Sequence, residues 1–320
     1  MSLPITLKAA FEELTSKISL QHLHACYQQL SDCYRNSPEK GSRLMESEGH
    51  RLAYLSARFP ATYSAVSYVL QEMVRRVPDF TAETLLDVGS GPGTSVWAAQ
   101  EVFYGIKQIT LLEKNKHLIK LGKELAHTAQ NQPLCDAEWI ECDLQRKCTF
   151  SPHDLIIASY VIGELEKGVQ DLIVSLWKAT KKAIVFIEPG TPRGFSTILN
   201  IREILLNEGA HIVAPCPHQS KCPMAQGDWC HFSQRIPRTS EHRIIKSAEL
   251  NYEDEKFSYI IASKEKSLPI QSRILRHPIK RPGHINFKVC QSDGIKNLTV
   301  SRKQKERWRN ARKAEWGEDF

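Results

Sequence analysis

The stretch Leu85-Leu86-Asp87-Val88-Gly89-Ser90-Gly91-Pro92-Gly93-Thr94 decides how this chain is read. Thr84–Val88 is a short apolar strand, and three glycines follow it at alternate positions before a helix predicted to run to about Phe103. Glycine lets the backbone turn sharply and approach a ligand, and the next helix offers its N-terminal amides to that ligand. A glycine-rich turn alone is weak evidence. Here Glu113 follows Gly91 by 22 residues and ends the next predicted strand, Gln108–Leu112. A carboxylate at that place can accept both hydroxyls of a ribose. Asp143 closes a third predicted strand, Glu138–Cys142, within reach of an adenine amino group. Gly89, Gly91, Gly93, Glu113 and Asp143 are therefore candidate residues of a nucleoside pocket, and the resemblance given below adds Asp87 and Ser90 of the same loop.

Outward from this loop, strands and helices alternate. Leu155–Ser159, Ala183–Ile187 and His211–Ala214 read as further strands, separated by helices near Val169–Lys178 and Ser196–Leu206. That rhythm predicts a parallel, doubly wound α/β sheet. Residues 5–34 and 41–77 read as helical, the second with Tyr63, Val66, Leu70, Met73 and Val74 near helical spacing and Pro78 as its stop. Residues 215–245, rich in Pro, Cys, His and Trp, break the alternation, and Phe257–Ser263 restores a strand. The expected organisation is a helical region (1–80), an α/β core (81–214), a cysteine-rich insertion (215–245), the last core strand (246–269) and a basic segment (270–320).

The chain has 320 residues, 41% hydrophobic and 25% charged, which excludes wholesale disorder. No apolar run approaches the roughly 20 residues that span a bilayer, so no membrane partner is expected. The first 34 residues hold Glu12, Glu13 and Asp32 and no arginine, the wrong chemistry for a mitochondrial presequence; a bacterial cytoplasmic monomer is the expectation. The net charge of +7 is concentrated: Ile270–Phe320 carries 13 Lys and Arg against 5 Asp and Glu, and the rest is nearly neutral. A partner with a phosphate backbone would account for this, and the tail interleaves Lys303, Lys305, Arg307, Arg309, Arg312 and Lys313 with Trp308 and Trp316, suited to phosphate contact and base stacking. The alternative is a solvated helix with both tryptophans packed inward.

Nine cysteines in such a chain argue against a disulfide framework. Cys26, Cys33, Cys135, Cys142 and Cys148 read as small hydrophobes, with Cys142 in an apolar strand. Cys216, Cys222 and Cys230 cluster within fifteen residues, and Cys290 lies sixty further on. Thiolates bind soft or borderline metals, and four can close one site. The five and seven intervening residues are wider than zinc-finger spacing. They suit an iron–sulfur cluster, while zinc stays open, with His218 or His231 replacing a cysteine.

The loop D-V-G-S-G-P-G (87–93) resembles the first motif of class I S-adenosylmethionine-dependent methyltransferases, and G-x-G-x-x-G does not fit it. That resemblance implies a Rossmann-like methyltransferase sheet with Ser159 and Tyr160 beside the methyl donor. The run A-S-Y-V-I-G-E-L (158–165) lacks the Asn/Asp-Pro-Pro-Tyr signature of amino-group methylation, and no catalytic residue is identifiable. More of the chain, 50–317, resembles the Rsm-type mitochondrial small-ribosomal-subunit proteins, also called methyltransferase-like proteins, and their bacterial relatives. The carrying segments are LAYLSARFPATY (52–63), LLDVGSGPGT (85–94), IEPGTPRGF (187–195), PCPH to WCHFSQR (215–235) and ARKAEWG (311–317). The resemblance implies action on the small ribosomal subunit through ribosomal RNA, S-adenosylmethionine as methyl donor, and a 4Fe-4S cluster on Cys216, Cys222, Cys230 and Cys290. It places the eukaryotic relatives in mitochondria. An rRNA methyltransferase is the expected activity; the alternatives are a non-catalytic RNA-binding assembly factor and a methyltransferase of another substrate with structural zinc.

Overall fold

The computed structural model describes residues 3–36, 44–146, 148–224 and 227–320. Three helices come first: α1 (Ile5–Thr15), α2 (Leu20–Asn36) and α3 (Glu48–Arg76). The helical stretch expected over 5–34 is thus two helices. Thr15 Oγ1 donates to the Phe11 carbonyl at 2.7 Å and Ser16 Oγ to that of Glu13 at 2.8 Å. Such back-bonding competes with the helical ladder and ends it. Of the second expected stretch, 41–77, residues 41–43 lie outside the described residues. Helix α3 runs through Pro60, whose missing amide costs about 3 kcal/mol in a helix interior. Full burial of Phe59, Tyr63, Val66, Leu70 and Met73 on the same helix offsets it.

The main sheet has eight strands: β1 (Thr84–Val88), β2 (Gln108–Glu113), β3 (Glu138–Glu141), β4 (His153–Ser159), β5 (Thr180–Pro189), β6 (His211–Ala214), β7 (Phe232–Pro237) and β8 (Tyr252–Ser263). Between them lie α4 (Thr94–Gln100), α5 (Lys116–Thr128), α6 (Gln132–Cys135), α7 (Val169–Ala179), α8 (Pro192–Asn207) and α9 (Ser240–Lys246). The order is β3-β2-β1-β4-β5-β8-β6, with β7 also pairing to β8. Strands β1 to β5 are mutually parallel, and β8 runs against β5, β6 and β7. This is a doubly wound, Rossmann-like α/β sheet, with the order reversing between β1 and β4. Side chains alternate across it: Leu85, Leu111, Leu155 and Ile157 pack under the N-terminal helices, α4 and α5, while Leu86, Leu112, Ile156 and Ala158 pack under α7 and α8.

The stretch 215–245 divides. Its first part is irregular, but β7 joins the main sheet through β8, and α9 packs on α2 and α3. Strand β3 stops at Glu141, so Cys142 lies just past an exposed edge strand and not inside an apolar one; its sulfur is 3.0 Å from that of Cys148.

The basic segment holds more structure than a helix. Strands β9 (Ser272–Ile274), β10 (Ile279–Arg281), β11 (His284–Gln291) and β12 (Gly294–Ser301) form a second sheet, in the order β10-β11-β12 with β9 on β11. Helix α10 (Lys305–Lys313) follows a short 3-10 turn in which Ser301 and Gln304 cap each other reciprocally. No helix among the described residues is long and apolar enough to cross a membrane.

A buried charge network joins α3 to this second sheet. Glu72 accepts from Arg273 Nη2 at 2.5 Å, from Arg76 Nε at 2.9 Å and from Arg75 Nε at 2.9 Å. Arg273 also donates to the carbonyls of Pro215 and Gly317, and Arg76 pairs with Asp319. Glu72 and Arg273 are both almost fully buried, and removing one partner of such a pair strands the other charge. Glu72→Ala is expected to lower unfolding free energy by about 3–5 kcal/mol. Denaturant unfolding reads it, and a loss below about 1 kcal/mol would show that water or a shifted partner replaces the carboxylate.

Candidate functional site

The carboxyl ends of β1, β2 and β4 meet where the strand order reverses, the usual ligand crevice of such sheets. The glycine loop forms its floor. Gly89 has φ +68°, and a Cβ there would stand 2.3 Å from Val161 Cγ2, so only glycine fits. Gly93, at φ +83°, precedes α4. The Ser90 amide donates to the Leu112 carbonyl at 2.9 Å, tying the loop to β2. Glu113 is buried at the end of β2; its Oε2 accepts from the Gly91 amide at 2.9 Å and its Oε1 from the Asn115 amide at 2.8 Å. The carboxylate expected to face a ribose therefore already holds the loop backbone.

Asp87 is fully buried, and neither of its oxygens has a hydrogen-bond partner. Burial pushes its carboxyl up to about 8; Ser95 opposes this and the Glu113 charge adds to it. The Ser95 hydroxyl itself is shared with Ser159 Oγ at 2.9 Å, which places Ser159 beside the loop. The folded chain holds the Asp87 proton more tightly than the unfolded chain. The stability this contributes is complete below about pH 4 and lost as pH rises through about 8. The wild-type thermal midpoint should thus fall as pH rises from about 4 to about 8, and Asp87→Asn should flatten that slope. Parallel melting curves for the two proteins would assign the loss to another group.

Tyr160 takes φ +56°, and its hydroxyl donates to Glu255 Oε1 at 2.9 Å, where Arg58 also binds at 3.4 Å. Its ring is thus held toward β8, with the Arg58 guanidinium 5.6 Å from its centroid. Asp143 sits apart on the rim past β3, half exposed, accepting from the Gln145 amide and pairing with Arg146 at 3.5 Å. Sequence reading missed Glu188 at the end of β5. It is 2% exposed, and its Oε1 accepts from the amides of Ile162 at 2.9 Å and Gly163 at 3.1 Å. Burial pushes its carboxyl up to about 7 against those amides. An acid at the end of a predicted strand, in I-E-P-G, was the available signal. Trp139 was missed too: its ring packs between Gly93 and Gly122, beneath the loop.

The cysteines form a second site. Cys216, Cys222, Cys230 and Cys290 all line one cavity of about 40 Å³, with Arg202, His218 and Arg273. One water needs roughly 10–15 Å³, so the space exceeds that of a lone ion. Cys290 reaches it from β11, where it pairs directly with Arg273 of β9. Burial raises the Cys230 thiol well above its usual value, the other three sulfurs adding to this, and pushes Cys290 up to about 12, Cys216 and Cys222 adding. His218 Nε2 is 3.7 Å from Cys290 Sγ. His231 instead stacks on Trp229 and does not line the cavity. Among the described residues no three His, Cys, Asp or Glu side chains are grouped tightly enough to hold a metal ion, so neither the iron–sulfur nor the zinc expectation is shown by the geometry. The four sulfurs line one cavity, and thiols are the donor type of soft-metal and iron–sulfur centres.

The tail tryptophans turn inward. Trp308 packs on the core of the second sheet, and Trp316 Nε1 donates to the His231 carbonyl at 3.0 Å. The base-stacking expectation for them is corrected: what α10 exposes is Lys305, Arg307, Arg309, Arg312 and Lys313.

Residues 49–320 match the family model described as mitochondrial small ribosomal subunit Rsm22. The chain belongs to the Rsm22 family. Both sites lie inside the matched residues. The human protein named "Ribosome assembly protein METTL17, mitochondrial" is 27% identical over 86% of this chain and 63% of its own length. The fission-yeast protein "Rsm22-cox11 tandem protein 2, mitochondrial" is 28% identical over 84% of this chain and 43% of its own. This member of the family therefore spans between 43% and 63% of the length of these two relatives. Among solved structures, the magnesium protoporphyrin IX methyltransferase of Synechocystis, with bound S-adenosylmethionine, covers 75% of this chain and 97% of its own at 12% identity and a TM-score of 0.41. That likeness is too slight to carry an argument, and the fold rests on the strand order.

Proposed function

We propose that this Rsm22-family chain binds S-adenosylmethionine at the Gly89–Gly93 loop and an iron–sulfur cluster at its four cysteines, and acts on the small ribosomal subunit during its assembly. The observation that carries this is the family match over 49–320, which includes the loop, the cysteines and the basic tail together. For the donor, Gly89, Ser90, Gly91 and Gly93 would let the backbone approach, Glu113 would accept the ribose hydroxyls, and Asp143 would face the base. Asp87, Ser159 and Tyr160 would shape the sulfonium end. When bound, the donor supplies an electrophilic methyl group. For the cluster, Cys216, Cys222, Cys230 and Cys290 would be the ligands, their thiols giving up protons on binding.

The exposed cations of α10 support binding to RNA phosphates. Replacing Lys305, Arg309 and Lys313 together by Ala should weaken binding to small-subunit rRNA and lower the salt slope by roughly 0.7–0.9 for each phosphate left without its cation. An unchanged slope would place the RNA on another face. A catalytic reading is favoured by Glu188, a buried carboxyl raised to about 7 at the crevice end of β5, where a group poised near neutrality can accept a proton. Mapping rRNA methyl marks and subunit precursors in cells lacking this chain tests both. Loss of one mark supports methyl transfer, stalled precursors with every mark intact support a binding factor, and neither defect removes the ribosomal role.

A further inference from the structure

The cysteine cavity has an arginine that the four-thiol assignment leaves unexplained. Arg202, on α8, is 2% exposed and lines the cavity. Its Nη2 donates to the carbonyls of His218 at 2.9 Å and Ser220 at 2.7 Å, which pins the guanidinium to the cysteine loop. Its Nε is buried without any partner. No Asp or Glu pairs with it among the described residues. The other buried arginine of the cavity differs, because Arg273 has Glu72 at 2.5 Å. The imidazole beside Arg202 is His218, at 3.5 Å, and it carries no negative charge in either protonation state.

A buried cation with neutral partners and a spare N–H is costly unless an anion completes its surroundings. Cys216, Cys222, Cys230 and Cys290 line the same cavity as Arg202, and no Asp or Glu lines it. Four thiolates around a 4Fe-4S core of charge +2 carry a net −2, and −3 after one-electron reduction. We infer that Arg202 is the counter-ion of the centre that Cys216, Cys222, Cys230 and Cys290 would hold. This rests on the cluster reading above and adds to it a residue that tunes the centre without ligating it. Net charge and hydrogen bonds to sulfur are the levers that set a cluster's potential. A cation at this place favours the more negative, reduced form.

The test uses the full chain, stripped and then reconstituted anaerobically with ferrous iron and sulfide, as wild type, Arg202→Met and Arg202→Lys. The measurements are iron per chain, the reduction potential, and the thermal midpoint of the metal-free proteins. Arg202→Met should shift the potential to more negative values, and Arg202→Lys, which keeps the charge, should stay close to wild type. Metal-free Arg202→Met should melt at or above the wild-type temperature, since it loses an unpaired buried charge; a merely structural arginine would lower it and leave the potential alone. An iron-loaded Arg202→Met with the wild-type potential, or equal shifts in Arg202→Met and Arg202→Lys, overturns the counter-ion role while the cluster stands. A wild type that takes up no iron removes the cluster itself and the inference with it.

Discussion

Purified without oxygen, the wild-type chain is expected to be brown, with the broad visible absorbance of a cuboidal cluster, and Cys222→Ser is expected to lose nearly all of that colour and its iron. The size of the effect follows from the cavity. No Asp or Glu lines it, so no carboxylate stands ready to replace a missing thiolate. Burial keeps the Cys216, Cys230 and Cys290 thiols protonated in the metal-free chain, so binding must displace several protons at once, and a centre with three ligands recovers less of that cost. Iron, sulfide and zinc content on one sample decide the matter. A colourless protein with one zinc per chain would overturn the cluster.

Glu113→Ala is expected to weaken S-adenosylmethionine binding by at least about a hundredfold in calorimetry. The carboxylate accepts two amide hydrogen bonds, from Gly91 and Asn115. Hydrogen bonds to a charged group contribute about 1.5–3 kcal/mol each, and about 1.4 kcal/mol is a factor of ten in affinity. The substitution therefore slackens the loop and also removes the acceptor for the ribose. Because Glu113 is already engaged, a bound ribose must share it with, or take it from, the Gly91 amide. Gly89→Ala offers an independent check, since its Cβ would collide with Val161 and force the loop away from its path. Wild-type affinity in both variants would mean that the donor site lies elsewhere.

The glycine loop, the acid 22 residues on and the alternating strands were legible because each depends on local spacing. Strand periodicity and glycine placement act over a few residues, and the observed β1, β2 and β6 begin where the apolar runs begin. The second sheet was legible in principle: Ile285, Phe287 and Val289 alternate with His284, Asn286 and Lys288, and S-D-G follows, yet the excess of basic residues hid that period of two. The break between α1 and α2 lay in side-chain hydroxyls that bond backward, a weak signal against two helical flanks.

By itself the sequence determined the sheet, the loop that floors its crevice and the thiols available to a metal centre, since these follow from residue type and short-range geometry. Only the tertiary structure decided which distant groups meet. Cys290 joins the other three cysteines because β11 pairs with β9 and Arg273 anchors β9 to α3 through Glu72. Arg202 faces the same cavity from α8, Glu188 turns under the loop after β4, and Trp308 and Trp316 fold inward. Each of these meetings is made by packing between segments far apart in the chain, where burial and charge pairing choose the partner and spacing along the sequence carries no information.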